Sequence, residues 1–155
     1  MKLNLDYELK IEIMEKGKKK STLNIFYREP KKTERKDEQK KFKEFKKLDK
    51  KLNSIQLKAP SLQKKYDLLV EMKKNEEALV VMEQIEAKSN ELEEIIDEME
   101  AFGGDDFAET QAQERFDKLV SGKDAEKLKE IAESIGFVKM LDNLEREKAD
   151  LQKKQ

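Results

Sequence analysis

The chain has 155 residues, 45% of them charged and 36% hydrophobic, with no His and no Cys. Ordinary globular domains carry roughly 25% charged residues, so this composition excludes one large core. The missing His and Cys exclude a disulfide framework, thiolate metal sites and the commonest general base. The formal net charge of −1 hides an asymmetry: residues 1–60 hold 19 Lys or Arg against 10 Asp or Glu, a net of +9, and residues 61–155 hold 15 against 25, a net of −10. Such a chain is expected to dock against other molecules, not to carry out bond chemistry.

Residues 3–13 alternate. Leu3, Leu5, Tyr7, Leu9, Ile11 and Ile13 share one face, and Asn4, Asp6, Glu8, Lys10 and Glu12 the other, the pattern of a half-buried strand. Glu15–Lys20 is polar, includes Gly17 and suits a turn; Leu23, Ile25 and Tyr27 then alternate again. The pair reads as a β-hairpin. A lone hairpin is marginal in water, so its apolar face must lie on a helix or accept strands from a partner. Arg28-Glu29-Pro30 ends the second strand, because Pro30 has no N–H for a ladder.

From about Thr33 the period becomes helical. Phe42, Phe45, Leu48, Leu52 and Ile55 form a coiled-coil-like seam among Lys and Glu. Lys58-Ala59-Pro60-Ser61 is expected to interrupt this helix, with Ser61 capping the next. The second segment runs from Leu62 to Phe102 with a gap in its rhythm at Lys73–Glu77. An antiparallel hairpin of the basic first helix and the acidic second would pair opposite charges along the seam. Gly103-Gly104 ends this part. Asp106 and Glu109 have capping-box spacing for a helix from about Phe107 to Val120, stopped by Ser121-Gly122. Asp124 is placed to cap Ala125–Ile135, Gly136 stops that helix, and Phe137–Leu151 suggests a last amphipathic helix fraying into Lys153-Lys154-Gln155. The expected class is mainly α with three parts: a β-hairpin over 1–30, a helical hairpin over 31–102 and a three-helix module over 103–155.

Catalytic patterns are absent from the sequence. Asp105-Asp106 is the one pair that invites a divalent cation, and adjacent carboxylates after Gly-Gly more often sit near a helix start. The five glycines form no phosphate-binding fingerprint. The basic first third could neutralise phosphates, but it is interleaved with acids and faces an acidic second half, so a solvated helix face is the better reading. The Met and aromatic positions at helical spacing (Met72, Met82, Met99, Met140, Phe102, Phe116, Phe137) read as core. Glu76–Asp117 holds 15 acids against Lys88 and Arg115, which would steer a basic partner or discourage self-association. No apolar run approaches the ~20 residues that span a bilayer. Met1-Lys2-Leu3-Asn4 lacks the apolar stretch of a signal peptide, so a cytoplasmic location is expected.

Two segments carry a family resemblance. The hairpin with Ile25-Phe26-Tyr27-Arg28-Glu29-Pro30 and a charged helix after it is similar to the opening of the tail assembly chaperones of long-tailed bacteriophages. Glu114-Arg115-Phe116-Asp117-Lys118-Leu119-Val120-Ser121-Gly122, with the helix through Leu128 and Ile131, resembles their C-terminal helical part. Together these cover about a third of the chain. The resemblance implies a non-enzymatic helper in the host cytoplasm that keeps a tape-measure or tail-tube protein soluble until the tail polymerises.

The expected function is a protein-binding assembly factor without cofactor or metal. Tyr7, Ile11, Ile25 and Tyr27 on the hairpin, with Phe116 and Leu119 in the C-terminal module, are the candidate contact residues. A coiled-coil scaffold that dimerises through the helical hairpin, sensitive to charge at Leu92 or Ile95, is the alternative. A nucleic-acid binder ranks below both, and an enzyme last.

Overall fold

Alternation builds the hairpin. In the computed structural model, which describes Met1 and residues 3–154, β1 (Asp6–Glu15) and β2 (Lys18–Arg28) pair antiparallel. Tyr7 lies opposite Tyr27, Leu9 opposite Ile25 and Ile11 opposite Leu23, so the apolar residues of both strands meet across one face. The connection Lys16-Gly17 has φ of 53° and 76°, a mirror-type turn whose twist matches the strands. A register shift between Ile13 and Met14 marks a bulge near that turn, where twist increases.

After β2 the Arg28 guanidinium grips both oxygens of Glu34 at 2.7 and 2.8 Å, and Glu34 Oε1 also accepts the backbone N–H of Lys31 at 2.8 Å. That second bond is the reciprocal half of a capping box at the start of α1 (Lys32–Glu71). The Arg28 contact, then the Lys31 N–H, holds the Glu34 carboxyl at about 2.

The helix does not stop at Lys58–Ser61. Pro60 lies inside α1, which continues for 40 residues to Glu71. An interior proline loses one helix bond and disfavours the turn before it, but Leu48, Leu52 and Ile55 ahead of it are held in the seam, Leu62 after it is half-buried, and packing overrides propensity. The break comes at the gap in the rhythm. Lys73 has φ 58°, its N–H donates to Val70 O at 3.1 Å, and that of Lys74 donates to Leu69 O at 2.9 Å. These two bonds make a Schellman stop with a lysine where glycine is usual. α2 (Asn75–Ala101) follows. Leu48 and Ile55 of α1 pack with Ile95 of α2, flanked by Leu52, Leu92, Met99 and Phe102, which sets the two helices antiparallel.

Gly104–Asp106 forms a 3-10 turn before α3 (Phe107–Leu119). The expected capping box there does not form, since Asp106 makes no side-chain bond to α3. Glu109 instead accepts the backbone N–H groups of Phe137 at 2.7 Å and Val138 at 3.2 Å. It thereby caps α5 (Phe137–Lys153) from another helix. α4 (Ala125–Ile135) has Asp124 at its N-cap position without a capping bond; Asp124 Oδ2 accepts the Asn24 N–H of β2 at 2.8 Å. Gly136, with φ 101°, separates α4 from α5. Of the end expected to fray, α5 includes Lys153, and Gln155 lies outside the described residues.

Ser121-Gly122 does more than stop α3. Val120–Ser121 forms a short strand, β3, that pairs with β2, Val120 opposite Tyr27 and Ser121 opposite Phe26. Gly122 has φ 110°, a backbone conformation that favours glycine, and a Cβ there would touch the Ile25 Cα and the Phe26 ring at 3.4 Å. The sheet order is β1-β2-β3.

The chain divides into two units. Residues 37–105 form one; Met1–Lys36 and Asp106–Gln155 together form the other. The segments read from sequence as a separate hairpin and a separate helical module share one core: Tyr7, Leu9, Leu23, Ile25 and Tyr27 pack with Phe116, Leu119, Leu128, Phe137 and Leu144. Among the described residues no helix is long and apolar enough to cross a membrane.

Two substitutions test these local devices. Glu109→Ala should cost about 1–2 kcal/mol in urea unfolding, because two N–H groups at the start of α5 lose their acceptor. Lys73→Gly should raise stability by about 1 kcal/mol, because only glycine adopts a positive φ without steric cost.

Candidate functional site

α5 lies against the hairpin through a polar cluster over two tyrosine rings. The Tyr27 hydroxyl donates to Glu145 Oε1 at 2.5 Å. Lys148 Nζ reaches Glu29 Oε1 at 2.9 Å and Glu145 Oε2 at 3.1 Å, and lies 5.7 and 5.6 Å from the ring centres of Tyr7 and Tyr27. Gln152 Nε2 donates to the Tyr7 hydroxyl at 2.9 Å. Burial, then the Glu145 carboxylate, pushes the Tyr27 hydroxyl well above the ordinary phenol value. Burial would lower Lys148, but hydrogen bonds to Glu29 and Glu145 outweigh it and hold the ammonium above its usual value. Burial would raise Glu145, and hydrogen bonds from Tyr27 and Lys148 outweigh that in turn, leaving it lowered.

This cluster shows what the candidate contact residues do. Tyr7, Ile25, Tyr27, Phe116 and Leu119 are buried in the core, and Phe116 meets Phe137 edge-to-face at 5.6 Å. These five hold the unit together and present no surface to a partner. Ile11 is the exception: it is half-buried and lines a groove.

That groove, of about 1010 Å³, lies between β1 and the helices α4 and α5. Its strand wall is Lys10 through Met14, and its helical wall includes Ile131, Ile135, Lys139, Arg146, Glu147 and Asp150. A smaller depression of about 320 Å³ shares Lys10, Glu147 and Asp150 and extends the path to Glu8, Leu9 and Leu151. Consecutive strand residues point to opposite faces. A path touched by every residue from Glu8 to Met14 therefore wraps the strand edge. Among the described residues β1 is an outer strand that pairs in the sheet with β2, so its other side is an open ladder edge along this path. Ile11, Ile13, Ile131 and Ile135 supply apolar floor, and charges of both signs rim it. The helical wall escaped sequence reasoning. Its signal was the position of Ile131 and Ile135 on α4, but the groove exists only once α4 and α5 meet β1.

The helical hairpin has its own depression of about 490 Å³, where Ala59, Pro60 and Ser89 leave the seam thin between Ile55, Leu62, Ile85 and Leu92. Ile95 is buried and Leu92 half-buried within this chain's own seam, so neither is free to serve as a dimer face in this fold.

The cluster makes stability depend on pH in two directions. Glu145, lowered in the folded state, adds stability that is full above about pH 4.3 and is lost as pH falls through its folded value. Lys148 and Tyr27, both raised, add stability that is full below about pH 10 and is lost as pH rises through their folded values. Glu145→Gln should lower the thermal midpoint at neutral pH, and the gap to the parent chain should close in acid. Tyr27→Phe should flatten the alkaline fall.

Compared with protein-family models, curated proteins and solved structures, the chain matches none.

Proposed function

We propose that the protein is a non-enzymatic assembly factor that holds an extended segment of a partner protein by strand addition to β1. The observation that supports this reading is the groove that wraps the unpaired β1 edge. Strand addition combines backbone hydrogen bonds for affinity with pockets for alternate side chains. A partner strand laid along β1 would complete the open ladder. Its alternate apolar side chains would rest on Ile11, Ile13, Ile131 and Ile135.

The charges of β1 favour a foreign strand over a second β1. Two copies paired antiparallel about Lys10 would set Glu8 opposite Glu12 in both halves of the contact, and like charges directly opposite destabilise. The segments Ile25–Pro30 and Glu114–Gly122, which resemble phage tail assembly chaperones, point to a tail protein such as the tape measure or tail tube as the client. The reaction compartment is then the host cytoplasm, and the task is to keep an aggregation-prone chain apart until polymerisation begins.

The tagged protein, pulled from its producing cells and read by mass spectrometry, should bring down one abundant tail protein. Met14→Asp with Ile135→Asp alters groove residues that are 55% and 41% exposed and should leave helicity and the thermal midpoint unchanged. Client binding should weaken roughly tenfold or more, the scale of two lost apolar contacts. Undiminished capture by this variant would remove the groove from the reading.

A further inference from the structure

We propose that the bend of the helical hairpin is a two-fold contact site for a second copy of this chain. This contact belongs to residues 37–105 and is independent of the β1 groove. Leu68, Val70, Met72, Leu79 and Val80 are 46–61% exposed on the two sides of the bend. They are not seam residues left short of a partner: Ala78 and Val81 are the buried residues of α2 at that level. With Leu48 and Ile55 packed near Ile95 and Leu92, the antiparallel register sets Leu68 level with Leu79. Exposed apolar side chains therefore flank the bend on both helices, a concentration of apolar surface of the kind found at interaction sites.

Charge selects the occupant. Along α1, residues 40–51 carry seven Lys against two acids, and along α2, residues 83–100 carry eight acids against one Lys. Either stretch would favour a partner of the opposite sign. The bend differs from both. Residues 64–77 hold four Lys and four acids, with Lys73-Lys74 followed at once by Glu76-Glu77. A foreign partner of strong charge gains nothing here. A second copy related by a two-fold axis sets each Lys pair on the other copy's Glu pair, twice, as an isologous contact requires, while the apolar ends meet between them.

The test uses the full chain in sedimentation equilibrium up to about 1 mM, the weak end of specific affinity. The parent chain should form a dimer. Leu68→Glu with Leu79→Glu should weaken it roughly a hundredfold, two exposed leucines being lost from an apolar contact, with helicity by circular dichroism unchanged. Lys73→Glu with Lys74→Glu, and separately Glu76→Lys with Glu77→Lys, should each be monomeric, and an equimolar mixture of the two should pair again. A monomeric parent chain overturns the proposal. So does a dimer that survives the leucine substitutions, or a mixture of the charge variants that stays monomeric.

Discussion

A two-stranded hairpin cannot keep its apolar face from water unaided, and the way this chain covers that face determines the rest of its first unit. Ile25 and Tyr27 of β2 are 1% exposed, and the residues that cover them come from the other end of the sequence, with Leu128 and Leu144 at 0%. The hairpin supplies a curved apolar sheet and the C-terminal helices supply its lid. A chain so rich in charge gathers the apolar residues of its two ends into the one core of this unit. The polar groups follow that packing. Tyr27 can bury its ring because Glu145 accepts the hydrogen bond of its hydroxyl, and Glu145 can be drawn inward because Lys148 and Arg115 stand beside it.

The same lid creates the groove. α5 is fixed at its start by Glu109 and along its length by Lys148 and Gln152. Its position leaves one wall open beside β1 and none beside β2, whose free side is partly taken by β3. The fold thus closes one sheet edge with two residues of its own and leaves the opposite one accessible. Charged residues on an edge strand usually blunt unwanted pairing. Here Glu8, Lys10 and Glu12 blunt pairing of like with like without covering the strand.

Much of the fold was legible because period is legible. Alternation over Leu3–Ile13 and over Leu23–Tyr27, the seam Leu48–Leu52–Ile55, and the glycines after Phe102, Ser121 and Ile135 each mark an element close to where it lies. The misses share one cause: local rules were outweighed by partners distant in sequence. Pro60 reads as a break but is carried through by the α2 seam, and Lys73, with no propensity for the left-handed region, becomes the turn because the seam needs one there. Glu109 has the spacing of a self-cap and caps another helix. β3 is two residues long, below what alternation can reveal. The candidate contacts Tyr7, Ile25, Tyr27, Phe116 and Leu119 lie in the core, since they have the strongest apolar signal, and that signal identifies core before it identifies surface. The groove that remained depends on three elements meeting, information that no single segment carries.

The split of one core between the two ends of the chain also bears on how the protein is made. A helical hairpin consists of contacts between residues near in sequence and closes quickly, whereas a core joining Ile25 to Leu144 has high contact order and forms slowly. On a ribosome, which releases the N-terminus first, residues 37–105 can fold while the β-hairpin still waits for α3, α4 and α5 to emerge. Throughout that interval Tyr7, Leu9, Leu23, Ile25 and Tyr27 form an uncovered apolar sheet. The protein therefore passes through a stage of its own synthesis in which the apolar face of its hairpin is exposed to water and to other chains.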